Sequence, residues 1–465
     1  MTALRRPPNK RRSPRKLARR VVVALVAITA VVALMATAKH DGPSDAAEHG
    51  LTLHQPGSAS SRGVRLHVAR VAARVERIRR LRFDSRPRVR VMSAAQLARL
   101  GQRLNRGLIR RMRQEPARLA RIRQLERART GFGKLAGILP ELPASDVTAR
   151  GPSEQIGAAY DYRHKRIILV QGATQTRREL QLVLAHELTH ALEDQHFSLQ
   201  LPASVGPTQS AETRRALIEG TATFVAARYA RVYLSDHVPV EQRLLGQRSI
   251  YAAGGSIPYA TKAVTIFDYV DGALFVRGLH LHGWQPVNRA LWSPPTRTQE
   301  ILHPRAWRRS PAPQPVRLGL NPLLGAGWRL VGGGPAGEQD ALAVLGEGAP
   351  DSEAQPGAAG WAGGRFQLWR ARGQAGDCQG CAAANIGLVA FRWHGRLDTW
   401  QFSRAFFAYM LVGRLGDRLG PRTWRLHDGF ASLRNLRHAS AIAFAPTQHL
   451  ATTAAQSAVV HAAGR

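Results

Sequence analysis

The chain has 465 residues, 44% of them hydrophobic, which is enough to bury a substantial core and excludes a globally disordered protein. Its length fits two or three domains. Lys plus Arg number 67 against 31 Asp plus Glu, a formal net charge of +36 that points away from polycationic partners and towards polyanions such as anionic lipid headgroups or acidic envelope polymers. A base composition that favours Arg, Ala and Gly produces the same bias. No nucleic-acid-binding motif accompanies the charge, so no specific nucleic acid is predicted.

Residues 1–20 carry basic side chains and no acid, and Val21 to Ala38 is an uncharged apolar run. About 18 to 20 such residues suffice to cross a bilayer. Basic residues ahead of the run predict a cytoplasmic N-terminus with the rest of the chain exported. Ala36-Thr37-Ala38 also has the small-residue pattern of a signal-peptidase site. Residues 1–38 are therefore read as a basic cytoplasmic tail and signal anchor. The membrane partner is held through residues 21–38, or the protein is secreted if cleaved after Ala38. Residues 39–63 read as a polar linker.

Residues 64–145 form an Arg-rich, mainly helical N-terminal region with one strand at Arg88–Met92. Ser93 and Gln96 have capping-box spacing for the helix that follows. Such Arg-rich helices lie on an anionic surface, stand solvated, or shield a cleft as a prosegment does.

Residues 146–312 carry the candidate chemistry. Ala158–Val170 reads as a β-hairpin with its turn near Arg163-His164. Thr176 and Glu179 form a second capping-box pattern, and Leu180, Val183, Leu184, Leu188, Ala191 and Leu192 recur at helical spacing behind it. Within that helix lies His186-Glu187-Leu188-Thr189-His190. Residues four apart share a helix face, so the two imidazoles can grip one ion. Glu187 is rotated by about 100°, beside the ion and in reach of its water. Hydrolytic zinc sites need this arrangement, with a third protein ligand. Glu219 sits among Ala216, Leu217, Ile218, Ala222 and Phe224 on a second helical pattern, where an unpaired carboxylate is costly. Gly220 beside it suggests close approach of another backbone.

The run from His186 to Phe197, with Leu217-Ile218-Glu219-Gly220-Thr221-Ala222, resembles the gluzincin zinc metallopeptidases, whose members include thermolysin. It is more similar still to a group of little-characterised bacterial, often membrane-anchored, peptidase-type proteins. Pro294 to Pro304 and Gly360 to Arg365 extend the likeness, which runs from about Val75 to Met410. The resemblance implies a zincin-like catalytic domain acting on a peptide or protein substrate. It makes His186, His190 and Glu219 the Zn2+ ligands and Glu187 the general base. It also implies that the strand before the active-site helix borders the cleft and pairs with substrate backbone.

Two departures stand out. The resemblance leads one to expect an acid four residues after the glutamate ligand, and another after Glu-Gly; this chain has Thr223 and Thr221. Support for a ligand histidine is then expected from Asp194. The oxyanion donor is expected downstream, from Tyr269, His280, His282 or His303, with His303 first.

Residues 313–445 read as a supporting α+β lobe, with strands near Gly327–Val331, Phe366–Arg370 and Asn385–Trp393 and a helix from Thr399 to Leu415. Residues 446–465 read as a flexible tail. Cys378 and Cys381 lie in a Gly/Gln loop and are expected as a local disulfide. The fold class expected is α+β. The function expected is zinc-dependent peptide hydrolysis outside the cytoplasm. The alternative is a non-catalytic envelope protein that binds anionic surface polymer, its structural zinc closed by His196 or Asp194. A third reading keeps the hydrolytic site but directs it at cell-wall peptide.

Overall fold

A computed structural model of the chain describes residues 58–139, 157–171, 176–199, 208–253, 259–373, 382–412 and 416–464. The apolar run at residues 21–38, the linker up to residue 57 and the Cys378/Cys381 pair lie outside the described residues. No described helix is long and apolar enough to cross a membrane. The fold is mixed α+β, built on two large cores.

Helix α1 (Ser58–Arg79), strand β1 (Arg88–Met92) and helices α2 (Ala94–Met112) and α3 (Pro116–Leu135) precede the hairpin. The hairpin itself is β2 (Ala158–Asp161) and β3 (Arg166–Val170), turning through residues 162–165 as the sequence predicts. Strand β3 is central: β1 runs parallel on one side and β2 antiparallel on the other. Side chains alternate across this small sheet. Ala158, Tyr160, Ile167 and Leu169 face the first core, whereas Ala159, Ile168 and Val170 pack with Met92 and Leu97.

The first core is otherwise helical. Helices α4 (Arg177–Phe197) and α5 (Gln209–Tyr233) lie at its centre, followed by α6 (Val240–Ala253), α7 (Tyr259–Thr265), a π-helical turn (Ile266–Asp271), α8 (Gly272–His280) and α9 (Trp284–Trp292). Val71 and Val75 of α1 pack here with Leu184 and Leu188 of α4, Leu217 and Val225 of α5 and Phe275 of α8. Fully burying each such side chain stabilises the fold by about 1.5–3 kcal/mol.

The second lobe is a seven-stranded antiparallel sheet. It comprises β4 (Trp328–Pro335), β5 (Trp361–Ala371), β6 (Asn385–Trp393), β7 (Asp417–Gly420), β8 (Thr423–Arg425), β9 (Phe430–Leu436) and β10 (Ala439–Ala445), in the order β4-β5-β6-β10-β9-β8-β7. Period-2 alternation gives each face its own core. Val389, Phe391, Ile442 and Phe444 face helices α10 (Glu338–Leu345), α11 (Asp351–Ala358) and α12 (Arg396–Val412). Ile386, Leu388, Ala441 and Ala443 face helix α13 (Gln448–Ala462).

Two expectations are corrected. Residues 446–465 do not form a loose tail: Gln448–Ala462 is a helix capped by Thr447, with Ala451, Ala454, Ala455, Ala458 and Ala462 buried. Its contact stripe is Ala, which lets the helix lie close on the sheet but gives little hydropathy contrast. Nor do residues 64–145 form one N-terminal unit. Helix α1 belongs to the first core, while Ala128, Phe132 and Leu135 of α3 are buried with Phe366, Leu368 and Val389 of the second.

Candidate metal centre

Helix α4 starts at Thr176, whose hydroxyl accepts the Glu179 N–H at 3.1 Å while the Glu179 carboxylate accepts the Thr176 N–H at 3.3 Å. This reciprocal cap is worth about 1 kcal/mol. Every residue from Leu182 to Asp194 is buried, so the helix runs through the middle of the lobe.

Helix α5 lies against α4 and brings Glu219 to the two histidines. His186 Nε2 and His190 Nε2 are 3.0 Å apart, and Glu219 Oε2 lies 3.2 Å from the first and 3.4 Å from the second. Donors about 2.0–2.1 Å from a tetrahedral ion stand about 3.3–3.4 Å from one another. The Glu219 edges match this spacing to within about 0.2 Å, and the edge between the two histidines is shorter by about 0.3–0.4 Å. Two imidazole nitrogens and a carboxylate oxygen turned to one point need a proton or a metal ion among them. His186, His190 and Glu219 are the metal-holding group found among the described residues, and all three are buried. The residues fit zinc by donor type, number and spacing.

The charges follow from this crowding. Burial alone lowers the pKa of His190, but Glu219, Glu187 and Glu193 outweigh it and raise it to about 9. Burial alone raises that of Glu219, but His190 and His186 outweigh it and hold it at about 2. Burial raises the pKa of Glu187 against the opposing pull of both histidines.

The position of Glu187 is set by the hairpin. Val170 N–H donates to Gly157 C=O at 3.0 Å, which fixes the parity of the ladder. Ala159 and Asp161 then exchange bonds with β3, while Ala158 and Tyr160 turn their N–H and C=O groups to the free edge. The Glu187 carboxylate accepts the Tyr160 N–H there. The strand that borders the candidate base is thus β2; β3, next before the helix in sequence, is enclosed on both sides.

Two tyrosines close the surroundings. Tyr269, on the π-helical turn, stacks on His186 with ring centroids 6.0 Å apart. The Tyr162 ring lies 6.0 Å from that of His190, and its hydroxyl is buried without a hydrogen-bond partner. Burial first, then Glu219, holds both phenols protonated far above their usual range. Of the expected oxyanion donors, only Tyr269 packs on a metal-facing residue. His303, the first choice, is bound through Nε2 to Glu338 at 2.7 Å, at the seam with the second lobe. His280 accepts from Arg228 and packs on Trp284, and burial and Arg228 lower its pKa to about 4. His282 is exposed.

Asp194 does not support a ligand. It accepts the Tyr160 hydroxyl at 3.1 Å and pairs with Lys165, fastening the hairpin to α4. His196 donates through Nε2 to Arg82 C=O at 2.7 Å. Neither side chain closes a fourth metal position. The carboxylate beside His190 is Glu193, one turn on along the same face. Glu193 is fully buried and bound to the fully buried Arg79 at 2.6 Å. Arg79 also donates to Asn288 and lies 4.2 Å from the Trp284 ring centre. His190 Nδ1 and Glu193 Oε2 are each buried without a partner. Glu193 therefore acts on His190 through its charge and not through a hydrogen bond to Nδ1.

Sequence reading misses Tyr162, Glu193 and Arg79. The signals were present: Tyr160 and Tyr162 alternate on one strand face, and Glu193 follows Ala191-Leu192 as Glu219 follows Leu217-Ile218. Gly220 meets its expectation: a Cβ there would lie 2.2 Å from the Gly272 carbonyl carbon. The chain matches no known family, no curated protein and no solved structure.

Proposed function

We propose that this protein is a zinc-dependent peptide hydrolase whose centre is His186, His190, Glu219 and Glu187. The observation that carries the reading is the convergence of three buried side chains that could hold a metal ion, with a second carboxylate, that of Glu187, beside them on a strand edge. Zinc bound there supplies Lewis acidity and lowers the pKa of a water ligand. Glu187, aimed by the Tyr160 N–H, takes the proton of the attacking water and returns it to the leaving amine. The free edge of β2 holds extended substrate backbone through the outward groups of Ala158 and the C=O of Tyr160. Tyr269 and Tyr162, protonated at neutral pH, donate to the developing oxyanion. The basic N-terminus and apolar residues 21–38 favour action outside the cytoplasm from a membrane anchor, on peptide or protein, cell-wall peptide included. The net charge of +36 favours retention by anionic envelope polymer.

Metal content and digestion of a mixed peptide library, on wild type and Glu187→Gln, test this reading. About one zinc per chain in both proteins, with cleavage lost only in the variant, is the expected result. Normal turnover by Glu187→Gln would overturn the mechanism.

Burial favours a second reading. Exposure is 2% for His186, 3% for His190 and 1% for Glu219, as in a structural site. In that case the protein is a non-catalytic envelope component whose zinc holds α4 to α5. Chelation would then melt the fold, and no peptide in the library would be cut.

A further inference from the structure

A cavity of about 200 Å³ lies between the two lobes, away from the three metal-facing residues. Phe132, Phe267, Val344, Phe366 and Phe391 make it largely apolar. It opens to solvent past Val264, which is 42% exposed. A closed apolar cavity of about 150 Å³ holds a benzene ring, so this one is large enough for a bulky hydrocarbon group.

Its polar wall is ordered by ion pairs. Arg129 donates to Glu212 at 3.0 Å, pairs with Asp340 at 3.5 Å and lies over the Phe366 ring. Arg215 is bound to Asp268 at 2.5 Å. Both arginines are paired with carboxylates, so neither is left for an anionic ligand to neutralise. Two polar atoms of the lining residues remain without partners. The Nε–H of Arg129 and the Oε1 of Gln339 are both buried and without partners, although Gln339 Nε2 is satisfied by Ala263 C=O. One is a donor and the other an acceptor, the complement of an amide's C=O and N–H. Leaving such atoms unpaired costs about 1–3 kcal/mol each, and a ligand that pairs them recovers it.

We propose that this cavity is a binding site for a bulky, uncharged apolar group that carries an amide, such as a leucine or phenylalanine residue within a peptide. Glu212 and Arg215 line it two turns and one turn before Glu219 on α5, about 10 and 6 Å back along the helix axis. That distance admits two sources for the same chemistry. One is a residue of the peptide held at the metal centre, which rests on the hydrolase reading. The other is a separate small molecule that acts on Glu219 through α5.

Calorimetry with N-acetyl-phenylalaninamide and N-acetyl-glycinamide, on chelator-treated and zinc-loaded wild-type protein, tests the site without relying on activity. The aromatic amide is expected to bind both forms at least tenfold more tightly than the glycine amide. Ala343→Phe, which fills the cavity from a half-buried position on α10, is expected to weaken the aromatic amide at least tenfold. Equal binding of the two amides to wild type would overturn the proposal, and that comparison needs no variant. So would unchanged affinity in a folded Ala343→Phe protein. Where the zinc-loaded protein cleaves peptides, the substrate source predicts that the aromatic amide raises KM with kcat unchanged. Ala343→Phe then moves the cut sites away from large apolar residues at one fixed position. The effector source predicts a change in kcat with the cut sites unchanged. Tight aromatic-amide binding with no cleavage of any peptide supports this site and counts against the hydrolase reading.

Discussion

His190 is held between two acids. Glu219 faces its Nε2, and the charge of Glu193, anchored by Arg79, also acts on it. Removing one member of a buried pair leaves the other charge stranded, at a cost of about 3–5 kcal/mol. Arg79→Met is therefore expected to lower the thermal midpoint sharply. Glu193→Gln keeps an acceptor for Arg79 but strands its charge in the same way, so it is expected to lower the thermal midpoint as well and to weaken zinc binding about 10–100-fold by chelator competition. A change below twofold would remove Glu193 from the support of the metal.

Acid–base linkage separates the metal-free and zinc-loaded proteins. The folded pKa of Glu219, about 2, lies below its ordinary value of 4.5, so its stabilisation is present above pH 4.5 and lost as the pH falls towards 2. His190 is raised from 6.5 to about 9, so its stabilisation is complete below pH 6.5 and lost as the pH rises through 9. The metal-free protein is expected to gain most from this pair between pH 4.5 and 6.5. Zinc must displace the His190 proton, so zinc affinity is expected to rise with pH and level off above 9. Calorimetric melting with and without zinc at pH 6.5, 7.5 and 8.5 reads both trends. A zinc-induced increase in midpoint that shrinks with pH would contradict the assignment.

Among the elements, the crossing of α5 with the start of α8 is the tightest junction near the metal. A Cβ on Gly220 would meet backbone of Gly272 and Ala273, and a Cβ on Gly272 would lie 2.0 Å from the Ala216 carbonyl oxygen. Backbone cannot rotate away as a side chain can. Gly220→Ala is expected to force the helices apart and destabilise by about 1–3 kcal/mol or more. It would also displace Glu219, so zinc content is expected to fall with the thermal midpoint. Thr176→Ala, which removes only the cap of α4, is expected to cost about 1 kcal/mol and leave zinc content unchanged.

The elements differ in how plainly their sequences announce them. Helix α4 is legible because Thr176 and Glu179 cap it and Leu and Val recur on its faces. The hairpin is legible from alternation around Arg163-His164. Glu219 is legible because a carboxylate on an apolar stripe requires a reason. Helix α13 is not, since Ala carries weak contrast and its burial depends on a sheet distant in sequence. The π-helical turn that brings Tyr269 to His186 has no local signal either, because it arises where α7 and α8 meet α5. Asp194 and Glu193 are adjacent, and only packing decides which faces His190 and which the hairpin.

At the scale of the molecule, a metal ion held by His186, His190 and Glu219 would clamp α4 to α5 across the middle of the first core. A ligand that binds only the native state stabilises it by RT ln(1 + [L]/Kd), about 2.7 kcal/mol at a hundredfold excess over Kd. Chelation is therefore expected to lower the melting of the first lobe, read by hydrogen exchange in α4 and α5. Exchange in β6 and β10 of the second sheet is expected to change little. Equal loss in both lobes would mean that they unfold as one unit.

The path of α3 has a consequence for how the chain is made. Phe132 and Leu135 leave the ribosome early, yet the strands that cover them, β5, β6 and β10, begin at Trp361. At about 5–20 residues per second, the roughly 225 intervening residues take about 10 to 50 s. Throughout that interval the first lobe can close around α4 and α5 while the apolar C-terminal end of an otherwise Arg-rich helix upstream of it stays bare. A nascent chain halted near residue 312 would carry the complete metal centre and an uncovered Phe132. Such a chain is expected to engage chaperones or aggregate, whereas the finished protein buries the same helix beneath its last-made sheet.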